Sequence, residues 1–306
     1  MCGYLSISIY IILLFIYPIY NYKYRNYNTE AEQHDMAAAA ATTAQAFRKL
    51  VRNGKYTTHT CGLGIELGRY AQANLVILPS KEAKDFHQFC ELNPKPCPLL
   101  EMTEVGSPYL NQMGEGIDLR SDLPSYRIFK HGKLVEETDN VKSYYDKRDN
   151  DLVGFVLGCS FSFEQAILDA GLPVRHIEQN LNVPMYRTNQ PCKSSGMFEG
   201  PLVVSMRPYK MDEIDQVVEI TKRYPRVHGD PIHIGSPEKI GININKKPDW
   251  GDEIELASDD IPVFWACGVT PQAVVLESRP EFCITHSPGH MLVLDIENEA
   301  LASSTH

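Results

Sequence analysis

LVGFVLGCSFSFEQAILDAG, residues 152–171, is the stretch on which the reading of the fold turns. Its apolar half, Leu152 to Leu157, is too short for a buried helix and ends at Gly158, so it reads as a strand inside a core. QAILDAG after it has helical spacing and a glycine stop at Gly171, which predicts a helix over Glu164–Ala170. A thiol and two hydroxyls stand at the corner between them. Ser162 followed three residues later by Gln165 fits a capping box and predicts Ser162 as the helix cap. A helix that starts where a buried strand ends presents free N–H groups and the positive end of its dipole, which suits a substrate carboxylate. Cys159 then lies beside that anion site, against the plainer reading of a small buried hydrophobe. G-x-S-x-G is absent, so the corner is no serine-hydrolase elbow.

The same alternation continues outward in both directions. Strands are expected at 72–79, Tyr126–Phe129, Gly154–Leu157, Leu202–Met206, Ile242–Ile244, Val263–Ala266 and Met291–Leu294. Helices are expected in AAAAATTAQAFRKLVRNGKY, in KEAKDFHQFCELN (81–93) and over Met211–Arg223. Strands interspersed with helices predict an α/β fold, two-lobed, with mixed sheets flanked by helices and an active site at strand ends between the lobes. The charged stretch 136–151 is the expected seam. It divides an N-terminal lobe, 39–150, from a C-terminal lobe, 151–297, that carries most of the polar motifs; the lobes are free to interleave. Residues 298–306 form a tail, and no internal repeat is visible.

Composition narrows the function. With 306 residues, 43% hydrophobic and 22% charged, the chain can bury a sizeable core. A formal net charge of −10 excludes a nucleic-acid partner, because no Lys/Arg stripe could neutralise a phosphate backbone. The eight cysteines contain no C-x-x-C pair, which points to free thiols in a reducing compartment. Residues 1–38 differ in composition from everything after them. Their apolar run, 4–20, is short for a membrane span and broken by Pro18; no basic segment precedes it, as a secretory signal would require. The leader is expected to lie outside the fold, with membrane association only if 4–20 is a real anchor. The basic, acid-free segment that follows it leaves a mitochondrial matrix location open beside a cytoplasmic one.

Beyond the corner, NVPMYRT (182–188), VVSMRP (203–208), VHGDPIHIG (227–235), VFWACGVTPQ (263–272) and THSPGHM (285–291) each join Gly or Pro to polar side chains at a strand end. Arg187 and Arg207 are candidate carboxylate clamps, since a guanidinium fork matches two carboxylate oxygens; a structural ion pair is the alternative for each. His228 and His233 bracket one turn, His286 and His290 another. Pro288 and Gly289 make a helical H-x-x-x-H site improbable, so no metal is assigned and the histidines are read as acid/base or hydrogen-bonding groups. With no phosphate-binding glycine loop present, no nucleotide cofactor is expected.

These blocks, with QANLVILP, NPKPCPLLE and DLRSDLPSYR upstream, closely resemble the D-glutamate cyclase family from about Ala39 to Glu297. The chain departs from the family pattern at Ser195, where Ala is usual, and at Asp230, where the usual HGAP becomes HGDP. The resemblance implies a lyase that converts D-glutamate to 5-oxo-D-proline and water by intramolecular attack of the amine on the γ-carboxyl group. It implies a small-molecule substrate and no cofactor, and leaves a homo-oligomer open. On that footing His228, His233 or His286 is the candidate base, with Glu164 and Cys159 as further catalytic candidates. Arg207, Arg187, Ser160, Ser205, Cys267 and Asn182 are the substrate-binding candidates. A hydro-lyase acting on another small carboxylic acid, or a non-catalytic amino- or oxo-acid binding protein, would use the same arginines.

Overall fold

The structure is a computed structural model, described here for residues 41–60, 63, 65–148, 151–179 and 181–303. The expected leader lies outside the described residues. Two sheets make the frame, and every strand pair in them is antiparallel. The larger sheet is built around β1 (Tyr70–Pro79), in the order β2 (Leu99–Met102), β5 (Leu152–Gly158), β1, β10 (Cys283–His286), β3 (Tyr126–Lys130), β4 (Lys133–Thr138). β11 (Leu292–Glu297) shares with β10 one edge of β1: Val76 and Ile77 pair with β10, Gln72 and Ala73 with β11. The smaller sheet runs β6 (Met185–Pro191), β7 (Pro201–Tyr209), β9 (Ile261–Ala266), β8 (His233–Ile234). Sequence position 150 is therefore no boundary between sheets. β5 lies beside β1 and β2, and the segment carrying the smaller sheet is inserted before β10 and β11 return to β1.

Alternation along β1 explains why so apolar a strand forms. Ala73, Leu75 and Ile77 face one core together with Phe163 and Ile167 of α5 (Phe161–Asp169) and Val217 and Ile220 of α7 (Ile214–Lys222). Val76 and Leu78 face the opposite core, filled by Phe86 and Phe89 of α3 (Ser80–Leu92) and Val274 and Val275 of α8 (Val269–Ser278). Leu75, Val76, Ile77 and Leu78 are each wholly buried. At the aliphatic burial scale of about 25 cal/mol per Å², such a two-faced strand is a large share of the driving force. α1 (Ala44–Arg52) is capped by Thr43, whose hydroxyl accepts from the Ala46 N–H at 3.1 Å, and packs Phe47 and Val51 against Val293.

Two expectations are revised, and one helix is added. Ile242–Ile244 form no strand; Ile240 and Ile242 instead plug the outer face of the smaller sheet with Ile254, Val204, Met206 and Phe264. Residues 269–278, for which no element was expected, are helical; Pro271 is tolerated because a proline in the first helical turn removes an N–H that has no intrahelical partner. The cap of α5 is Ser160, with no side-chain capping bond, while the Ser162 Oγ is buried within the first turn without a partner among the described residues. Gln165 turns to Asp169 at 2.7 Å, so the capping box does not form. Among the described residues no helix is long and apolar enough to cross a membrane.

Candidate functional site

Two strand-to-helix corners meet in the interior. The first runs from β5 through Gly158, Cys159 and Ser160 into α5; the second runs from β9 through Cys267 and Gly268 into α8. Both glycines are required by close approach. A Cβ on Gly158 would lie 2.1 Å from the Arg226 carbonyl oxygen, and one on Gly268 would lie 2.2 Å from Asn74 Nδ2. The Asn74 amide, on β1, thus abuts the second corner, and it donates to the Gly158 carbonyl of the first at 3.0 Å. Among the described residues neither Ser160 nor Gly268 makes a side-chain capping bond, and the positive ends of two helix dipoles converge here.

Arg207 lies at the centre, 1% exposed. Its Nε donates to Glu164 Oε1 at 3.1 Å, Nη1 to Ser205 Oγ at 3.0 Å, Nη2 to Ser160 Oγ at 3.1 Å and to the same Glu164 oxygen. Its guanidinium carbon stands 5.3 Å from the Phe163 ring centre and 5.6 Å from that of Trp265, whose indole N–H donates to Thr221 at 3.2 Å. Four of the five guanidinium N–H groups are engaged, so Arg207 is no open fork for a carboxylate. What it leaves open is at the serines: with Arg207 occupying an acceptor position on each buried oxygen, each O–H points elsewhere and can donate. Burial pushes the Glu164 carboxyl up, but the Arg207 charge and then His176, 3.3 Å away, outweigh it and hold the carboxyl at about 2. Glu164 is a fixed anion that orients Arg207.

The histidines separate sharply. His228 is wholly buried and sits in the left-handed region at φ 89°. The contact of Gly158 with residues 226 and 227 brings it to the first corner. Its Nδ1 donates to the Lys95 carbonyl at 2.7 Å, which leaves Nε2 as the lone-pair nitrogen, buried and with no hydrogen-bond partner among the described residues. Burial lowers the ring to about 4; the Lys95 bond opposes this and the Arg207 charge adds to it. His286, also held at about 4 chiefly by burial, has both nitrogens engaged. Nδ1 is bonded to the Ser287 carbonyl at 2.8 Å, and Nε2 lies 2.6 Å from Gln272 Nε2 and 3.1 Å from Asn74 Oδ1. His233 is on edge strand β8, bonded to the Ser236 carbonyl at 2.8 Å and away from the Arg207 cluster.

Ser160, Ser205 and Glu164 are therefore brought together on Arg207, whose charge reaches His228 in the turn packed against the first corner, with Cys159 and Cys267 in the two corners. Burial pushes the Cys267 thiol up to about 11, against the Val269 N–H and the Arg207 charge, so it stays protonated. Arg187 is elsewhere: exposed, ion-paired with Glu277 and stacked 5.0 Å from the Trp250 ring centre. Asn182 lies on the loop before β6, its backbone N–H bonded to Asp252 at 2.8 Å. Sequence reasoning missed Asn74, Gln272, His176 and Lys95. The one available signal was the asparagine inside QANLVILP, a buried strand where an amide needs partners.

The family model described as D-glutamate cyclase matches residues 153–295, a span that holds both corners, Arg207 and His228. A Bradyrhizobium diazoefficiens protein named "Putative hydro-lyase" is 56% identical over 76% of this chain and 85% of its own length. Relatives of the same name from Geobacillus kaustophilus and Staphylococcus haemolyticus are 49% and 51% identical. They cover 87% and 84% of this chain, and 99% and 96% of their own. With identity this high over most of both partners, the chain belongs to the D-glutamate cyclase family.

Proposed function

We propose that the chain is a hydro-lyase that closes D-glutamate to 5-oxo-D-proline and water. The observation that carries the reading is the lone-pair Nε2 of His228, buried without a partner among the described residues and within reach of the charge of Arg207, which holds two serine hydroxyls free to donate. The chemistry needs these two functions. The α-ammonium must shed protons before its nitrogen attacks the γ-carboxyl carbon, and the tetrahedral intermediate carries an oxyanion. One C–N bond forms and one C–O bond breaks. The ammonium loses two protons in all and the departing oxygen gains two, so a single neutral imidazole can accept a proton from nitrogen and return it to the leaving oxygen. Ser160 and Ser205 supply donors to the γ-carboxyl group, and the positive dipole ends of α5 and α8 add to the same field. Ring closure is intramolecular, so holding the folded conformer is the remaining contribution.

The decisive experiment incubates the chain from residue 39 onward with D- and L-glutamate separately and measures 5-oxoproline by chiral chromatography. Product from the D-enantiomer supports the reading. Absence of product from either enantiomer, with the protein folded, refutes it and returns attention to another small carboxylic acid.

A further inference from the structure

Lys95 makes three contacts with the HGDP turn. Its carbonyl accepts the His228 Nδ1–H at 2.7 Å, and its ammonium lies 2.9 Å from Asp230 Oδ1 and 3.0 Å from the Asp230 carbonyl oxygen. The carbonyl is rigidly presented. Pro94 and Pro96 flank it, and Asn93 anchors the turn through Lys193, accepting its N–H at 2.8 Å and donating to its carbonyl at 2.8 Å. The turn it grips is the opposite: His228 at φ 89° and Gly229 at φ 67° are consecutive left-handed residues, a conformation a histidine holds only against outside contacts. Lys95 and Asp230 are 44% and 47% exposed, so the grip lies at the surface above a wholly buried imidazole.

We propose that Lys95 is a positioning residue whose ammonium, by holding Asp230, keeps its own carbonyl on His228 Nδ1 and so fixes the tautomer with a free, buried Nε2. The consequence for turnover rests on His228 being the base of the reaction proposed above; the tautomer itself does not. The charged groups around the imidazole are Arg207 on β7 with Glu164 of α5 behind it, Lys95 and Asp230 at the surface, Lys222 of α7 acting on Asp230, and Arg226 in the same turn. Losing the grip admits water to the ring. Burial is the largest influence on it, so its relief outweighs the loss of the carbonyl bond and the ring becomes easier to protonate.

The test is nitrogen NMR of the full chain labelled with 15N-histidine, with His228 assigned by difference from His228→Gln. The parent is expected to carry its proton on Nδ1. In Asp230→Ala and in Lys95→Met, His228 is expected to titrate higher, by on the order of one pH unit, and to populate the Nε2–H form. Lys95→Arg keeps a donor for Asp230 and is expected to restore the parent titration. A parent proton on Nε2, or a His228 titration identical in the parent and both disrupting variants, overturns the proposal. Lys95→Arg behaving like Lys95→Met overturns the role of the ion pair. These readouts need no substrate, so a failure to cyclise glutamate leaves them intact. Where D-glutamate does turn over, the acid limb of kcat/KM moves upward with the NMR titration in both disrupting variants.

Discussion

Replacing Ser205 with alanine removes two interactions that can be measured apart. Ser205 is wholly buried, and its Oγ accepts from Arg207 Nη1 at 3.0 Å. Truncation strands one N–H of a charged group in the core, at a cost of about 1–3 kcal/mol, and leaves a void smaller than a water. That part appears as a lower midpoint in urea with an unchanged slope. The second part is chemical. If the hydroxyl donates to the oxyanion of the closing ring, its loss lowers kcat by about 10²–10³, with KM changed far less. The assay is 5-oxoproline formation from D-glutamate at several substrate concentrations, at a temperature where the variant is fully folded. Ser160→Ala is the companion, since its oxygen accepts from Nη2 of the same guanidinium. Full kcat in both variants despite lowered stability would refute the assignment of the serines as donors and leave them as supports for Arg207.

Arg207→Lys is expected to lose stability and activity together, because one ammonium cannot reach Glu164, Ser160 and Ser205 from a single position; retained thermal stability with lost activity would restore the open-clamp reading. His228→Gln should lower kcat by about 10²–10⁴ while the folded fraction at pH 7 is kept, as read by circular dichroism. Acid stability follows from the same histidine: it titrates near 6.5 unfolded and near 4 folded, so the unfolded chain binds more protons between those values. Its contribution is complete above pH 6.5 and drains as pH falls toward 4, at up to about 1.4 kcal/mol per pH unit, with His286 adding the same dependence. Glu164 extends the loss below pH 4.5, and urea unfolding of His228→Gln across this range should show a shallower decline. Gly158→Ala should be severely destabilising, since its Cβ would overlap the Arg226 carbonyl; near-normal stability would mean that the turn carrying His228 yields easily.

The parts of the fold legible in the sequence were those with local signatures. β5, its corner and α5 follow from an apolar run, a glycine and an amphipathic heptad, and β1, β7 and β9 follow from apolar runs of the same kind. β4 was not legible because KLVEET is exposed on nearly every residue of an edge strand and carries no apolar face. β10 is four residues long, and its pairing with β1 and β3 joins distant segments, which spacing along the chain cannot reveal. The site was legible in composition but not in geometry. Arg207 and Arg187 looked alike as residues in strand-end motifs. Only register separates them: Arg207 is opposite Val263 in the middle of the smaller sheet, and Arg187 is on edge strand β6. The three candidate histidines were likewise equal until the partners of each ring nitrogen were known.

One topological feature bears on how the molecule comes into being. β1 is made early in synthesis, yet one of its edges stays open until β10 and β11, near the end of the chain, arrive to cover it. The joined positions, such as Val76 with Thr285, lie far apart in sequence, which raises contact order and slows folding. A nascent chain on the ribosome therefore exposes an apolar strand edge for most of its elongation, the kind of template that other chains can pair with. His286, whose Nε2 also meets Gln272, reaches Asn74 only after this closure. Loss of even the last two strands would open one edge of β1 and remove the His286 contact of Asn74, so C-terminal truncation should yield an aggregating product that chaperones hold instead of a smaller, partly active enzyme.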